Sequence, residues 1–274
     1  MTNRIHNPGV RRMAIQRALL LEGAVTVEAL SRNLGVSLAT IRRDLASLKD
    51  DGSIRRTHGG AIIEAPRGAD QAFALREQLD PDAKRAIARK ALELVEPDQT
   101  LLMNDGSTVL ALARELVAAG LPLTIATPGV NIATHLSECP EITAYLLGGR
   151  VRHKTLSTSG SFAEAMLRAI NADIAFIGAE SISATEGLTY SYESDANLAR
   201  LMRRQATTTV VLAAARKLVQ RDRFTALSAG DIDVLVTDCC DPEILKPLAA
   251  AGIDVISARE EDDRTRSVRT LFTG

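Results

Sequence analysis

The spacing of apolar and polar positions predicts short helices at the beginning of the chain. Pro8 can open a first helix, in which Ile15 and Leu19 share one face. Thr26 can cap a second helix over residues 27–34. A turn of only a few residues separates this helix from a third, and two short helices joined so tightly form a helix-turn-helix.

The third helix, predicted from a cap at Ser37 to about Asp51, divides into two faces. Its apolar stripe consists of Leu38, Ile41, Leu45 and Leu48. The opposite face carries Ala39, Arg42, Arg43 and Ala46, with Thr40 and Ser47 on its flank. Small side chains let a helix enter the major groove, and arginine can bond guanine or phosphate. We therefore predict a DNA-recognition helix; the solvated outer face of an ordinary core helix is the alternative.

A hairpin is predicted directly after the recognition helix. Two short apolar strands flank a Gly59-Gly60 turn, with Arg55, Arg56 and His58 near its tip. Such a hairpin can lie along the DNA backbone as a wing. The arginines could equally be solvent-facing strand residues, and their charge does not distinguish the two interpretations. Helices and hairpin together predict a winged helix-turn-helix over residues 1–63.

The pattern changes after this hairpin. Residues 64–81 contain two prolines and little periodicity, and we interpret them as a linker. Apolar runs then alternate with helical segments, which predicts a mainly parallel sheet covered by helices, an α/β domain over 82–258. A charged tail over 259–274 follows. The predicted strands are 100–104, 123–126, 142–147, 173–177, 208–212, 234–236 and 253–256, and the helices begin at 82 and about 108 or span 130–136, 163–170, 195–206 and 242–250.

Composition narrows the classes of function. With 46% hydrophobic and 24% charged residues, no apolar run of membrane-spanning length and no secretory signal, we expect a cytoplasmic globular protein. Three cysteines, two of them adjacent, and four scattered histidines fit neither a disulfide framework nor a metal site, so no metal or cofactor is expected.

Charge is unevenly distributed along the chain. The net charge is −1, but residues 1–60 sum to +5 and the remainder to −6. A basic beginning on an acidic body is typical of a nucleic-acid partner at one end, although five charges could also arise by chance.

The α/β domain carries candidate ligand residues where strands end. Ligands of open α/β sheets bind beyond the carboxyl ends of strands, and helix N-termini there attract phosphate. A helix cap, a turn and a surface lysine are the ordinary alternatives for the three segments concerned. The candidate effector residues are Asp105, Gly106, Ser107, Thr108, Gly148, Gly149 and Lys217.

Residue order in the head resembles one family. Arg11, Ile15 and Leu19, followed by the segment SLATIRRDL at 37–45 and RTHGGA at 56–61, are similar to the helix-turn-helix signature of the DeoR/GlpR family of bacterial regulators. In the body, DGST, LGG, Gly160, AFIGAESI, GLT and VTD occur in the order of that family's sensor domain, whose fold resembles phosphosugar isomerases. The resemblance covers about residues 8–258.

The resemblance implies a repressor of a carbohydrate-catabolism operon. It would bind double-stranded operator DNA as a homo-oligomer and be released by a small anionic metabolite such as a phosphorylated sugar. Asp44, beside the two arginines, is expected to hold an arginine in place rather than to contact a base. A sugar-phosphate isomerase that carries a DNA-binding head, with Asp105 and Lys217 as its reacting groups, and a DNA-binding protein with a vestigial sensor are the other candidates.

Three polar positions depart from the family pattern. Thr127-Pro128-Gly129 stands where Thr-Asn-Ser is common, and Ala214-Ala215-Arg216-Lys217 replaces Asp-x-Ser-Lys. Asp195-Ala196 with Ala199 replaces Glu-Ala with a lysine four residues later. Either the ligand differs from the common sugar phosphates, or Arg200 and Arg216 supply the missing charge.

Overall fold

The chain forms two compact units, residues 1–79 and 80–274, in a computed structural model that describes residues 7–22, 24–50, 54–57, 60–63 and 73–259. The smaller unit contains α1 (Pro8–Glu22), β1 (Ala24–Thr26), α2 (Val27–Leu34), α3 (Leu38–Asp50), β2 (Ile54–Thr57), β3 (Gly60–Ile63) and α4 (Phe73–Gln78). Ile15, Leu19, Leu30, Ile41 and Leu45 form its buried centre.

Capping residues set the limits of the helix pair. Thr26 Oγ1 accepts a hydrogen bond of 3.1 Å from Ala29 N, and Gly35 ends α2 in the left-handed conformation with φ 63°. Ser37 Oγ accepts a hydrogen bond of 3.2 Å from Thr40 N at the start of α3. The predicted helix-turn-helix is therefore confirmed, with α2 over its predicted range.

The apolar stripe of α3 is shorter than predicted. Ile41, Leu45 and Leu48 are buried, but Leu38 is 39% exposed. Leu38 is the first residue of α3 and directly follows the turn from α2, so it lies at the edge of the core. The predicted stripe is thus buried from Ile41 to Leu48, and its first member, Leu38, is not buried.

A third strand, which sequence did not predict, completes the hairpin. The sheet order is β1-β3-β2, and Gly60 belongs to β3, where it pairs with Thr26, rather than to the turn. A Cβ at Gly60 would lie 2.1 Å from the carbonyl oxygen of Val25. Only glycine lets β3 approach β1 this closely.

The segment interpreted as a linker contains a helix. α4 occupies residues 73–78. Its first residue, Phe73, and the residue directly after it, Leu79, are buried. The helix has fewer than two turns, so its periodicity is too brief to recognise. Residues 64–72 of the segment, like residues 260–274 of the tail, lie outside the described residues.

The larger unit is built on a seven-stranded parallel sheet with the order β15-β14-β12-β9-β4-β5-β6. All seven predicted strands are in it, so the predicted fold class is confirmed. The elements of this unit are α5 (Pro81–Leu92), β4 (Thr100–Met103), α6 (Ser107–Ala119), β5 (Leu123–Thr127), α7 (Val130–Leu136), β6 (Ile142–Leu146), β7 (Arg150–Arg152), β8 (Ser157–Ser159), α8 (Ser161–Arg168), β9 (Ala172–Gly178), β10 (Ser181–Ser183), β11 (Gly187–Tyr190), α9 (Glu193–Gln205), β12 (Ala206–Ala213), β13 (Phe224–Leu227), β14 (Val234–Thr237), α10 (Pro242–Ala250) and β15 (Asp254–Ser257).

Two small antiparallel sheets were not predicted. β7 pairs with β8, and β10, β11 and β13 form a separate sheet. These strands have three or four residues and contain polar positions, so they show no apolar run. Among the described residues, no helix is long and apolar enough to cross a membrane, and no group of three or more acidic, histidine or cysteine side chains could hold a metal ion.

Candidate DNA-binding surface and effector pocket

One face of α3 presents the side chains predicted to meet DNA. Ala39, Arg42 and Arg43 are exposed, as is Ser37 at the N-cap, and Thr40 is half-buried beside them. The small residues surround the two arginines near the N-terminal end of the helix. This face can enter a groove without steric obstruction from large side chains.

A buried ion pair fixes the orientation of α3. Arg11 of α1 donates to both carboxylate oxygens of Asp44, at 2.5 Å from Nε and 3.1 Å from Nη2, and both side chains are only 7% exposed. The hydrogen bond to Asp44 raises the pKa of Arg11 against the opposing effect of burial. Asp44 thus holds an arginine in place, as expected, and the partner is Arg11 of α1.

A second contact joins the same two helices. Arg12 Nη1 donates to Ser47 Oγ at 2.7 Å, three residues along α3 from Asp44. With two contacts, α1 limits both the tilt and the rotation of α3. The arginines on the outer face are therefore presented by a helix held from behind.

The two arginines of the wing are described only in their backbone. Arg55 pairs with Ile62 and Arg56 with Ala61 in the antiparallel β2–β3 ladder. The side chains of Arg55 and Arg56, and the whole of His58, lie outside the described residues. Their contact with DNA stays a prediction.

A small polar cleft, which we call the cavity, opens at the carboxyl end of β4. Its wall comes from the β4–α6 loop, the β7–β8 hairpin and the first turns of α8 and α9. Polar side chains dominate the wall: Asp105, Arg152, Thr158, Ser159, Glu164, Ser194 and Asp195. Of the candidate effector residues, Asp105 lines this cavity.

Arg152 lies between two carboxylates in the cavity wall. Its guanidinium is 3.3 Å from Asp105 Oδ2 and 2.7 Å from Asp195 Oδ1, and the three side chains are 13–19% exposed. Burial opposes the charge of Arg152, but the two carboxylates outweigh it and raise its pKa. Burial, followed by the charge of Asp105, raises the pKa of Asp195. The cluster links three separate elements through one cation.

A second group of acids lies near the same end of the sheet. Glu180 accepts a hydrogen bond of 2.7 Å from Ser191 N, and burial raises its pKa to about 7. Asp222 accepts hydrogen bonds from Ser181 Oγ at 2.6 Å and Ser191 Oγ at 3.0 Å. Carboxylates therefore outnumber cations around this region.

The other candidate effector residues are distributed along the sheet edge. Gly106 lies against the end of β9, where Asn104 Oδ1 accepts from Gly178 N at 2.9 Å and from Gly106 N at 3.3 Å. Ser107 and Thr108 begin α6 and are buried, and the Thr108 hydroxyl has no hydrogen-bond partner among the described residues.

Two further candidates follow other strands. Gly148 N donates to Met166 Sδ at 3.1 Å after β6, and Gly149 precedes β7. Lys217 Nζ donates to the carbonyl oxygen of Ala179, after β9. All candidate segments thus lie beyond carboxyl ends of parallel strands, but only Asp105 among these candidates is in the cavity wall.

Sequence reasoning missed Arg152 and the role of Asp195. Arg152 belongs to β7, a three-residue strand that shows no periodicity, so nothing placed it beside Asp105. Asp195 stood out in the sequence only as a departure from a family motif. The available signal was the pair of arginines directly after the Gly-Gly segment, at a predicted strand end.

The substituted family positions have structural consequences. The carbonyl oxygen of Pro128 accepts hydrogen bonds from Thr158 N at 2.8 Å and Thr158 Oγ1 at 3.2 Å, so this loop holds β8. Arg200 bonds Asn197 and the carbonyl of Thr225, and Arg216 Nε lies 2.7 Å from Asp80 Oδ2. Neither arginine lines the cavity, and the idea that they supply charge to the ligand stays a prediction.

Comparison with known proteins covers both units. Residues 11–67 match the DeoR-like helix-turn-helix domain, and residues 80–239 match the DeoR C terminal sensor domain. The transcriptional regulator GlpR of Haloferax volcanii is 32% identical over 91% of this chain and 97% of its own length. The lactose phosphotransferase system repressor of Lactococcus lactis is 28% identical over 80% of this chain and 87% of its own.

A solved structure, ribose 5-phosphate isomerase A of Methanocaldococcus jannaschii, aligns with 51% of this chain and 55% of its own at 21% identity and a TM-score of 0.39. The two matched domain models together span most of the chain, in the order in which the two units occur. The chain belongs to the DeoR family of DNA-binding transcriptional regulators.

Proposed function

We propose that this regulator represses a carbohydrate-catabolism operon and that a small anionic metabolite, in the first place a phosphorylated sugar, releases it from operator DNA. The observation that carries the DNA-binding half is the exposed Arg42–Arg43 face on a helix fixed from behind by the Arg11–Asp44 pair. The name of the Lactococcus lactis relative, a lactose phosphotransferase system repressor, supports the sugar-related half.

We place the effector across the start of α6 and the adjoining cavity. A helix of 13 residues directs the N–H groups of its first turn and its positive potential toward an anion bound at its start. The buried, unpartnered hydroxyl of Thr108 is a donor that a phosphate oxygen can accept from. Asp105 and Asp195 offer acceptors for sugar hydroxyls in the adjoining cavity.

In this proposal, Arg152 couples effector binding to the contacts between β7 and α9. An anionic group that bonds Arg152 competes with Asp105 or Asp195, and so changes how the β7 hairpin is tied to α9. The effector lowers operator affinity only as far as it prefers the DNA-free form over the DNA-bound form. The response is thus a difference between two binding free energies.

A regulator is favoured over the two alternative functions. An isomerase has no use for a DNA-recognition helix, and both the Haloferax volcanii and the Lactococcus lactis relatives are regulators. A vestigial sensor would bind no metabolite, which an effector titration distinguishes. We further propose that the protein is a cytoplasmic homo-oligomer, because two recognition helices are needed for a two-half-site operator.

Ser107→Asp tests the effector site. A carboxylate at this position repels an anionic ligand, so operator affinity in the presence of sugar phosphates should no longer fall while affinity without them is unchanged. Ser137→Asp, on an exposed residue at the end of α7, is the matched control and should respond like wild type. Fluorescence anisotropy with labelled operator, with and without a panel of sugar phosphates, measures both.

The same panel separates the possible failures. Thermal unfolding of the free protein detects a ligand by its stabilisation of the folded state. An unchanged response in Ser107→Asp would place the effector elsewhere. No stabilisation and no response with any metabolite in wild type would support the vestigial sensor.

A further inference from the structure

We propose that β6, the terminal strand of the parallel sheet, pairs antiparallel with β6 of a second copy of this chain and that the apolar surface beside it completes a two-fold interface. This inference rests on the proposed function only for the use of the dimer at an operator.

The backbone edge of β6 is unpaired among the described residues. Leu123 N donates to Glu141 O and Leu147 N donates to Thr127 O, so odd-numbered residues of β6 face β5. Because successive residues point their N–H and C=O groups to opposite sides, those of Ala144 and Leu146 face the free edge. A row of free donors and acceptors is a template for another strand.

The sequence of β6 does not protect this edge. Ile142, Thr143, Ala144, Tyr145 and Leu146 include no charge and no proline, which are the usual means of preventing edge pairing. Tyr145 is 50% and Leu146 41% exposed. At the opposite end of the sheet, β15 begins with the charged Asp254 and has no large exposed hydrophobic residue.

Apolar side chains are concentrated beside the free edge. Met166 contacts Gly148, just beyond the end of β6, and Phe162, one turn earlier on α8, is 75% exposed. Six of the eleven large hydrophobic residues exposed in the described part of the chain fall between residues 145 and 166: Tyr145, Leu146, Val151, Leu156, Phe162 and Met166. Four of them, Tyr145 and Leu146 on β6 and Phe162 and Met166 on α8, belong to the edge strand and to the helix that contacts its end, and a contiguous apolar patch is typical of an interaction site.

A two-fold axis through Tyr145 pairs the free backbone groups of β6 and brings the apolar side chains of the two copies together. Ala144 of one copy then pairs with Leu146 of the other and the reverse, which forms four backbone hydrogen bonds, and the two Tyr145 rings meet at the axis. A stable dimer needs about 800 Å² from each copy. Tyr145 and Phe162 contribute the exposed 50% and 75% of their side chains toward this area, together with their apolar neighbours and the strand edge.

The charges at the two ends of β6 are complementary when the strands pair about Tyr145. Glu141 precedes β6 and Arg150 follows it, both are exposed, and Arg150 has no ion-pair partner among the described residues. Antiparallel pairing brings Glu141 of one copy beside the segment 148–150 of the other at both ends of the interface. The free backbone edge, the apolar side chains and the charges are thus all complementary to a second copy of this chain.

Two variants test the interface by sedimentation equilibrium on the full-length chain. Ala144→Pro removes an edge-facing N–H without removing a bond to β5, and Phe162→Lys places a charge on the apolar surface. Each should raise the dimer dissociation constant at least about ten-fold, with circular dichroism unchanged. Val219→Lys, at a side chain of similar exposure (67%), should leave the mass unchanged.

The outcomes are distinguishable from failure of the proposed function, because mass is measured without DNA or effector. A wild-type monomer at tens of micromolar, or dimers that persist in Phe162→Lys, would overturn the interface. If Ala144→Pro does not fold, Phe162→Lys decides alone. Loss of dimer in Phe162→Lys but not in Val219→Lys supports it.

Discussion

Arg11 and Asp44 illustrate how single buried residues set the geometry of the proposed DNA-binding surface. Neither side chain can reach DNA, since both are buried between α1 and α3. Sequence reasoning assigned Asp44 a structural role from its charge beside two exposed arginines. It could not identify Arg11, because the pair joins residues 33 positions apart whose proximity depends on the packing of two helices.

Asp44→Ala should strongly destabilise the smaller unit, since it leaves the Arg11 charge buried and unpaired. Breaking one partner of a buried pair typically costs about 3–5 kcal/mol in the free energy of unfolding. Denaturant unfolding measures this change. Arg85→Ala breaks an exposed pair with Asp82 and should cost less than about 1 kcal/mol. Equal, small effects of the two substitutions would show that the buried pair does not hold α3.

Glu180 predicts a pH dependence of stability in the larger unit. Its pKa in the folded protein, about 7, is above that of an ordinary glutamate, so the folded state retains a proton that the unfolded state loses. The free energy of unfolding should therefore fall as pH rises from about 4.5 to about 7, by at most about 3 kcal/mol.

Glu180→Gln isolates this contribution because the amide does not titrate. The difference in unfolding free energy between wild type and variant, followed across this pH range, should shift in favour of the variant as pH rises. A difference that is constant between about pH 4.5 and about pH 7.5 would contradict the buried, protonated state of Glu180.

At the scale of elements, the strands of the parallel sheet were predictable and those of the two small antiparallel sheets were not. The seven strands of the parallel sheet are covered on both sides and appear as apolar runs, as in β12 and β9. β7 and β8 have three residues each, and β7 alternates arginine with valine, so neither produced a signal. Part of the cavity wall is built on this hairpin, so Arg152 was missed, whereas Asp105 follows an apolar strand of the parallel sheet and was found.

Gly60 gives a test at the element scale. Alanine there would place a Cβ 2.1 Å from the Val25 carbonyl oxygen, so β1 and β3 must separate, at a cost of about 1–3 kcal/mol. Gly230→Ala is the control and should have little effect, because a Cβ at Gly230 would meet no atom within 4 Å. Thermal unfolding compares the two; a neutral Gly60→Ala would mean that β1 does not constrain the wing.

At the scale of the whole molecule, the uneven charge follows the two parts of the chain. The basic beginning of the chain contains the helix-turn-helix, and the acidic body contains the carboxylate-rich cavity. Fold class, family and the recognition helix followed from sequence because they depend on local spacing. The cavity depended on which loops meet at the edge of the sheet, and that is a property of strand order.

The central claim is that the exposed face of α3 binds operator DNA, and the double variant Arg42→Ala, Arg43→Ala tests it most directly. Operator affinity should fall, and the slope of log affinity against log salt should decrease by up to about 1 for each phosphate that the variant no longer neutralises. A folded control with the same change in net charge, Arg85→Ala with Lys246→Ala in the larger unit, should bind like wild type. Unchanged operator affinity and salt slope in the folded α3 variant would contradict the account.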